Sequence, residues 1–252
     1  MCGLFAGLLG SIVGLGGGIV IVPLLTLVFG VPIKNAIATS LISVCATSIG
    51  GATRYLRAGT ADLRLGLFLE TATVVGALGG GTLALAVKPQ IIGITFALML
   101  FYTGFAMLFK SERQSTRQGI AHAGQGKSST NIIVLALSFV GGLISSFLGV
   151  GGGVVKVPIM NLVLNLPLKV ATATSTYMIG ITTAAGSLIY LVNGMIDYHI
   201  AAPLILGTYA GASLGAHIAA KADSRIIRYI LVAIMIYVAI NIGLKQIGIR
   251  LL

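Results

Sequence analysis

The residues best suited to chemistry in this chain are bare backbone and small hydroxyls, and they occur twice. Gly16, Gly17 and Gly18 return 135 residues later as Gly151, Gly152 and Gly153, and each run is followed by a proline, Pro23 or Pro158. Thr39, Ser40 and Ser43 come after the first run, and Thr174 and Ser175 hold the equivalent places after the second. Glycine leaves its amide N–H unshielded and the hydroxyls add donors, so a set with no carboxylate in it suits an oxyanion. Helices opening at Ile19 and Val154 turn the positive ends of their backbone dipoles toward the same region. Lys156 replaces Ile21 of the first copy, three residues past a glycine run. An ammonium inside an apolar stretch is expensive and usually functional, which makes it a candidate anion ligand; a snorkelling or structurally paired lysine is the alternative. Glu70 is a candidate coupling carboxylate, with pairing to Arg64 or a headgroup-level position as the bland alternative. Asp62 and Asp197 match across the copies after glycine and read as turn or cap residues, and His199 and His217 read as relay or structural histidines.

Other chemistries lack their residues. There is no His-Glu-x-x-His, no Gly-x-Ser-x-Gly and no Gly-Lys-Ser/Thr loop, so hydrolysis and ATP-driven transport have no support and no cofactor is called for. Cys2 and Cys45 give neither a disulfide framework nor metal spacing. A formal charge of +11 brings nucleic acid to mind, but the basic residues sit at the ends of apolar runs without interleaved aromatics.

The elements that position these residues are set by composition. At 57% hydrophobic and 8% charged residues, the chain does not read as a water-soluble domain. Its apolar runs reach the roughly 20 residues that cross a hydrocarbon core of about 30 Å. They cover 36–56, 65–87, 91–109, 171–192, 200–220 and 226–244, besides one glycine-split stretch opening each half. From 14 to 40, 15 of the 27 positions equal those of 149–175 without a gap. The stretch 131–166 would be about 54 Å long as one helix, too long for a single crossing, so it folds back at its glycines. The predicted fold is an all-α polytopic membrane protein of two inverted repeats, each a glycine-broken hairpin followed by three transmembrane helices. The first repeat spans 1–109 and the second 131–252, joined by a polar linker over 110–130. Inversion puts eleven Lys and Arg on one side against four on the other, so the linker is expected in the cytoplasm and both termini outside. The amino terminus has no Lys or Arg in its first eighteen residues and is expected to be retained rather than cleaved.

On Gly14 to Pro23, Ala38-Thr39-Ser40 and their copies Gly149 to Pro158 and Ala173-Thr174-Ser175, the chain resembles the sulfite exporter TauE/SafE family, also called TSUP permeases. That resemblance implies a multi-pass protein of the cytoplasmic membrane that moves sulfite, sulfoacetate, thiosulfate or related anions, with export as the implied direction. The residues themselves supply only "anion". The expected partners are thus a small anionic substrate, the lipid bilayer and a coupling proton or sodium ion. The open alternatives are uptake of another anion or a metal ion, and a membrane enzyme or scaffold that transports nothing.

Overall fold

The computed structural model describes residues 1–109, 128–164, 166–219, 232 and 236–242. The described residues form helices and no strands: α1 (Cys2–Val13), α2 (Gly18–Pro23), α3 (Ile33–Arg57), α4 (Leu63–Ala86), α5 (Pro89–Phe109), α6 (Ser128–Leu148), α7 (Gly153–Pro158), α8 (Leu168–Val192) and α9 (Tyr198–Ala219). The linker expected over 110–130 lies outside the described residues except for its last three, which open α6. Of the last expected span only residues 232 and 236–242 are described, as helix.

The 135-residue offset of the sequence is an offset of elements too. α2 and α7, and α3 and α8, begin and end at matched residues. Straight after Pro23 and Pro158 the chain winds as π-helix, over Leu24–Val28 and Ile159–Val163. The widened turn is closed by the Phe29 N–H on the Leu24 carbonyl in the first copy and the Leu164 N–H on the Ile159 carbonyl in the second. Gly14 ends α1 in the left-handed region at φ 73°, with its N–H on the Gly10 carbonyl. Asp62 caps α4 by accepting from the Leu65 N–H, and Asp197 accepts from the N–H groups of His199 and Ile200 at the start of α9.

The first helix of each half packs on the fourth helix of the other half: α1 on α9, and α6 on α4. Glycine makes both crossings close. A Cβ on Gly76 would lie 2.0 Å from the Phe139 carbonyl oxygen, and one on Gly211 would lie 2.1 Å from that of Leu4. Gly142 and Gly7 stand as near to the carbonyls of Thr73 and Thr208. These glycines are the contact surfaces of helices held backbone to backbone, as small residues allow in lipid.

α3 and α8 run through the centre, touching each other and α9 and α4 respectively. Their buried faces include Ile37, Leu41 and Val44 on one and Met178, Ile179 and Tyr190 on the other. Outward faces are apolar as well; on α5, Leu98, Phe101, Tyr102 and Phe105 are all exposed. Among the described residues, three helices are long and apolar enough to cross a membrane by length and composition: Ile33–Arg57, Leu63–Ala86 and Lys169–Val192.

Candidate functional site

The two glycine runs form bends that touch. Gly14, Gly16 and Gly17 take positive φ in the first, and Gly149, Gly151 and Gly152 do so in the second, conformations that L side chains resist. Gly18 lies against the Gly149 carbonyl and Gly153 against that of Gly14; a Cβ on either would come within 2.3 Å of the oxygen it faces. Serines tie the contact: Ser40 donates to the Gly149 carbonyl at 2.8 Å and Ser175 to the Gly14 carbonyl at 3.3 Å. Each half thus holds the other half's bend.

The bends keep donors in reserve. The amides of Gly17, Gly18 and Ile19, and of Gly151, Gly152 and Gly153, are buried and have no acceptor among the described residues. Backbone N–H groups are rarely left so, because a buried unpaired amide costs about as much as a lost hydrogen bond. Methyl groups cover the bends, since a Cβ on Gly16 or Gly151 would meet the same two side chains, Val44 and Ile179. The two bends thus share one aliphatic cover, Val44 from α3 and Ile179 from α8, over Gly16 and Gly151.

The hydroxyls divide. Ser43 donates to the Thr39 carbonyl and Thr47 to the Ser43 carbonyl, so both bond their own helix. Thr174 accepts from the Asp62 N–H at 2.9 Å. Thr39 is 1% exposed and its Oγ1 has no partner among the described residues; Ser145 Oγ, beside Gly152, is in the same condition.

Lys156 lies off the bends. Its ammonium donates to Glu70 Oε2 at 3.0 Å and to the Thr182 hydroxyl, while the Thr182 hydroxyl also contacts Glu70 Oε1. Glu70 and Lys156 are 3% and 2% exposed and are the charged side chains buried among the described residues. The bland alternative for Glu70 fails on its partner, because Arg64 is exposed at the start of α4 while Glu70 faces α7 and α8. The third N–H of Lys156 finds no acceptor among the described residues. His217 meets the Arg54 guanidinium at the surface, away from these groups.

Moving each member of the triad by the repeat offset gives Ile21 for Lys156, Ile205 for Glu70 and Thr47 for Thr182. Ile21 and Ile205 belong to one apolar cluster. Sequence reasoning caught the exchange at 21/156 and missed the one at 70/205, although both sit at the same offset and together name the pair. Thr182 stands at the offset position of Thr47, so the residue between the two charges keeps its type across the copies.

A crevice of about 690 Å³ opens between α3, α4 and α8, lined by Cys45, Ser48, Thr53, Val74, Tyr177 and Gly180 among others and by none of the triad or bend residues. No three of His, Cys, Asp and Glu come together among the described residues.

Comparison with known proteins sets this geometry in a group. The model of the family described as Sulfite exporter TauE/SafE matches residues 1–242. The "Probable membrane transporter protein YunE" of Bacillus subtilis is 30% identical over 97% of this chain and 94% of its own length. A "Probable membrane transporter protein" of Xylella fastidiosa is 27% identical over 92% and 91% of the two chains, and MJ0441 of Methanocaldococcus jannaschii, described in the same words, 28% identical over 75% and 70%. No solved structure matches the chain.

Proposed function

The chain belongs to the TauE/SafE family of membrane transporters, and on that premise we propose that it carries a small sulfur-containing anion, sulfite or an organosulfonate, outward across the cytoplasmic membrane. The observation that carries the anion reading is the pair of touching bends whose buried amides lack acceptors. Such amides are satisfied by a guest rich in acceptor atoms and poor in donors, which describes a sulfur oxyanion. The family, described as one of sulfite exporters, supplies sulfur and direction.

Depth supports the same reading. The first hairpin has arms of 12 residues in α1 and 11 in α2 with its π-turn, about 18 and 16 Å of rise, each roughly half a hydrocarbon core. Arms of that length, starting at one face, bring a bend to mid-membrane. In this reading the halves are inverted, the linker is cytoplasmic, both termini are outside, and opening the Val44 and Ile179 cover toward each side in turn gives alternating access. The substrate ligands in this reading are the glycines of both runs and the Thr39 hydroxyl, joined by Ser40, Ser43, Thr174 and Ser175 once these leave their present backbone partners and by Lys156 once it turns from Glu70. Glu70 serves coupling, to a proton or to sodium.

Flux of labelled sulfite into proteoliposomes tests the proposal. Wild-type protein should exchange sulfite, and Lys156→Ala and the Ser40→Ala/Ser175→Ala pair should not. Exchange indifferent to all of these changes removes the site; no flux of any anion removes transport and brings back an enzyme or scaffold. A cysteine placed between Gln114 and Gln125 should react with impermeant reagents from the cytoplasmic side alone.

A further inference from the structure

We propose that the Glu70–Lys156–Thr182 triad is a charge exchanger: an arriving anion takes Lys156 from Glu70, and Glu70 takes up a proton in the same event. This inference rests on the anion reading above and adds the coupling ion, the residue that carries it and a ratio of one proton per anion.

The starting point is a closed balance of charge. One ammonium and one carboxylate lie buried together, bridged by the Thr182 hydroxyl, and no other charged side chain is buried among the described residues. The elements packed against Glu70 bring nothing else that titrates nearby. α6 has no ionisable residue; α7 offers Lys156 alone; α8 has Lys169, exposed at its start, half-buried Tyr177, and Tyr190, which donates to the Ser146 carbonyl. On α4 itself Arg64 is exposed. Glu70 therefore has one counter-charge.

Lys156 is suited to change partners. It sits in the first turn after the second bend, its own amide bonded to the Gly152 carbonyl, and its ammonium ends a flexible four-carbon stem. One of its N–H groups is already without an acceptor, so an anion oxygen gains a contact before any existing bond breaks. Once the ammonium turns to the anion, Glu70 is left as an unpaired carboxylate in a low-dielectric interior, a state that ionisable groups escape by neutralising. The balance is complete: the Lys156–Glu70 ion pair opens, a Lys156–anion pair forms, and a hydronium ion of the aqueous phase gives its proton to Glu70, closing an O–H bond there and leaving water. Thr182, bonded to both before the exchange, accepts from the protonated carboxyl afterwards. Unloading runs the steps backward, so anion and proton cross together. A second feature speaks for function over packing: the matched position is filled by Ile21 and Ile205, so the fold does not require charge there.

The chain contains two glutamates, Glu70 and Glu112. In a Glu112→Gln protein carrying ¹³C-carboxyl glutamate, Glu70 is the one labelled carboxyl and the triad is untouched. Infrared difference spectra on adding sulfite should show an isotope-shifted C=O band of a protonated carboxyl. Absence of that band, or a sodium requirement in its place, while labelled sulfite still exchanges in the same protein, overturns the proposal and leaves the anion reading standing. Failure of sulfite both to bind and to exchange overturns the two together. A second measurement uses Glu70→Gln, with its own titration of sulfite as the baseline. The half-saturating sulfite concentration should rise with pH about tenfold per unit more steeply in wild type than in the variant, the slope of one linked proton. Equal slopes in two proteins that both exchange sulfite overturn the proposal.

Discussion

Two matched places, one in each half, hold different chemistry on one backbone plan. In the second-half place Lys156 faces Glu70 with Thr182 between them. In the first-half place Ile21 and Ile205 belong to one apolar cluster, and Thr47 bonds back to its own helix at the Ser43 carbonyl. Replacing a buried ion pair by apolar residues is often neutral or stabilising, while removing one partner costs about 3–5 kcal/mol. Isoleucine at one place shows that this backbone plan accommodates an apolar pair there, which is the ground for the proposal that the charged place serves the anion.

The sharpest break of that comparison is to remove one charge. Lys156→Met strands Glu70 and should lower stability by about 3–5 kcal/mol, read as an earlier thermal transition in detergent, together with loss of sulfite flux. A smaller loss would mean that water already reaches the carboxylate. Next comes the contact between the bends: Gly18→Ala and Gly153→Ala each drive a Cβ against backbone and should cost about 1–3 kcal/mol, nearly equally. Gly59→Ala, with open space around it and φ 63°, should cost only the about 1–2 kcal/mol of a left-handed residue. Strongly unequal losses for Gly18 and Gly153 would show that the halves are matched in sequence but not in load. Ser40→Ala should then cost about 1 kcal/mol and Ser175→Ala less, following their 2.8 and 3.3 Å bonds. The smallest change in stability is expected from the most drastic edit, Lys156→Ile with Glu70→Ile, which copies the first-half place into the second. Its melting temperature should stay near wild type while sulfite transport stops. A double variant that still transports would strip the triad of its role.

What could be read in advance follows from what is local. The bends were legible to within a residue or two, with α2 and α7 opening at Gly18 and Gly153 rather than Ile19 and Val154, because glycine runs and prolines at a fixed offset mark backbone geometry directly, and the helices begin and end within three residues of the apolar runs wherever both ends are described. Partnerships were not. Glu70 has Arg64 as its near cation along the chain, yet apolar residues and threonines are spread around α4 and nothing in it announces which side meets α7 and α8. Ser40 reaches a carbonyl 109 residues away, and a serine beside a threonine in a helix carries no mark of that. The cover of Val44 and Ile179 was equally hidden, since ordinary aliphatic side chains at matched positions look like core. Only the doubled departure from symmetry, at 21/156 and 70/205, points across the molecule.

The neutrality of the buried triad bears on the cell's electrical life. A resting carrier whose interior holds one positive and one negative group moves no net charge when it swings from face to face. The transmembrane potential, worth about 2.3 kcal/mol per elementary charge per 100 mV, then has no lever on that return stroke. Loaded with a monovalent guest and its proton, the interior again sums to zero. Concentration and acidity, rather than voltage, would decide which way such a machine runs.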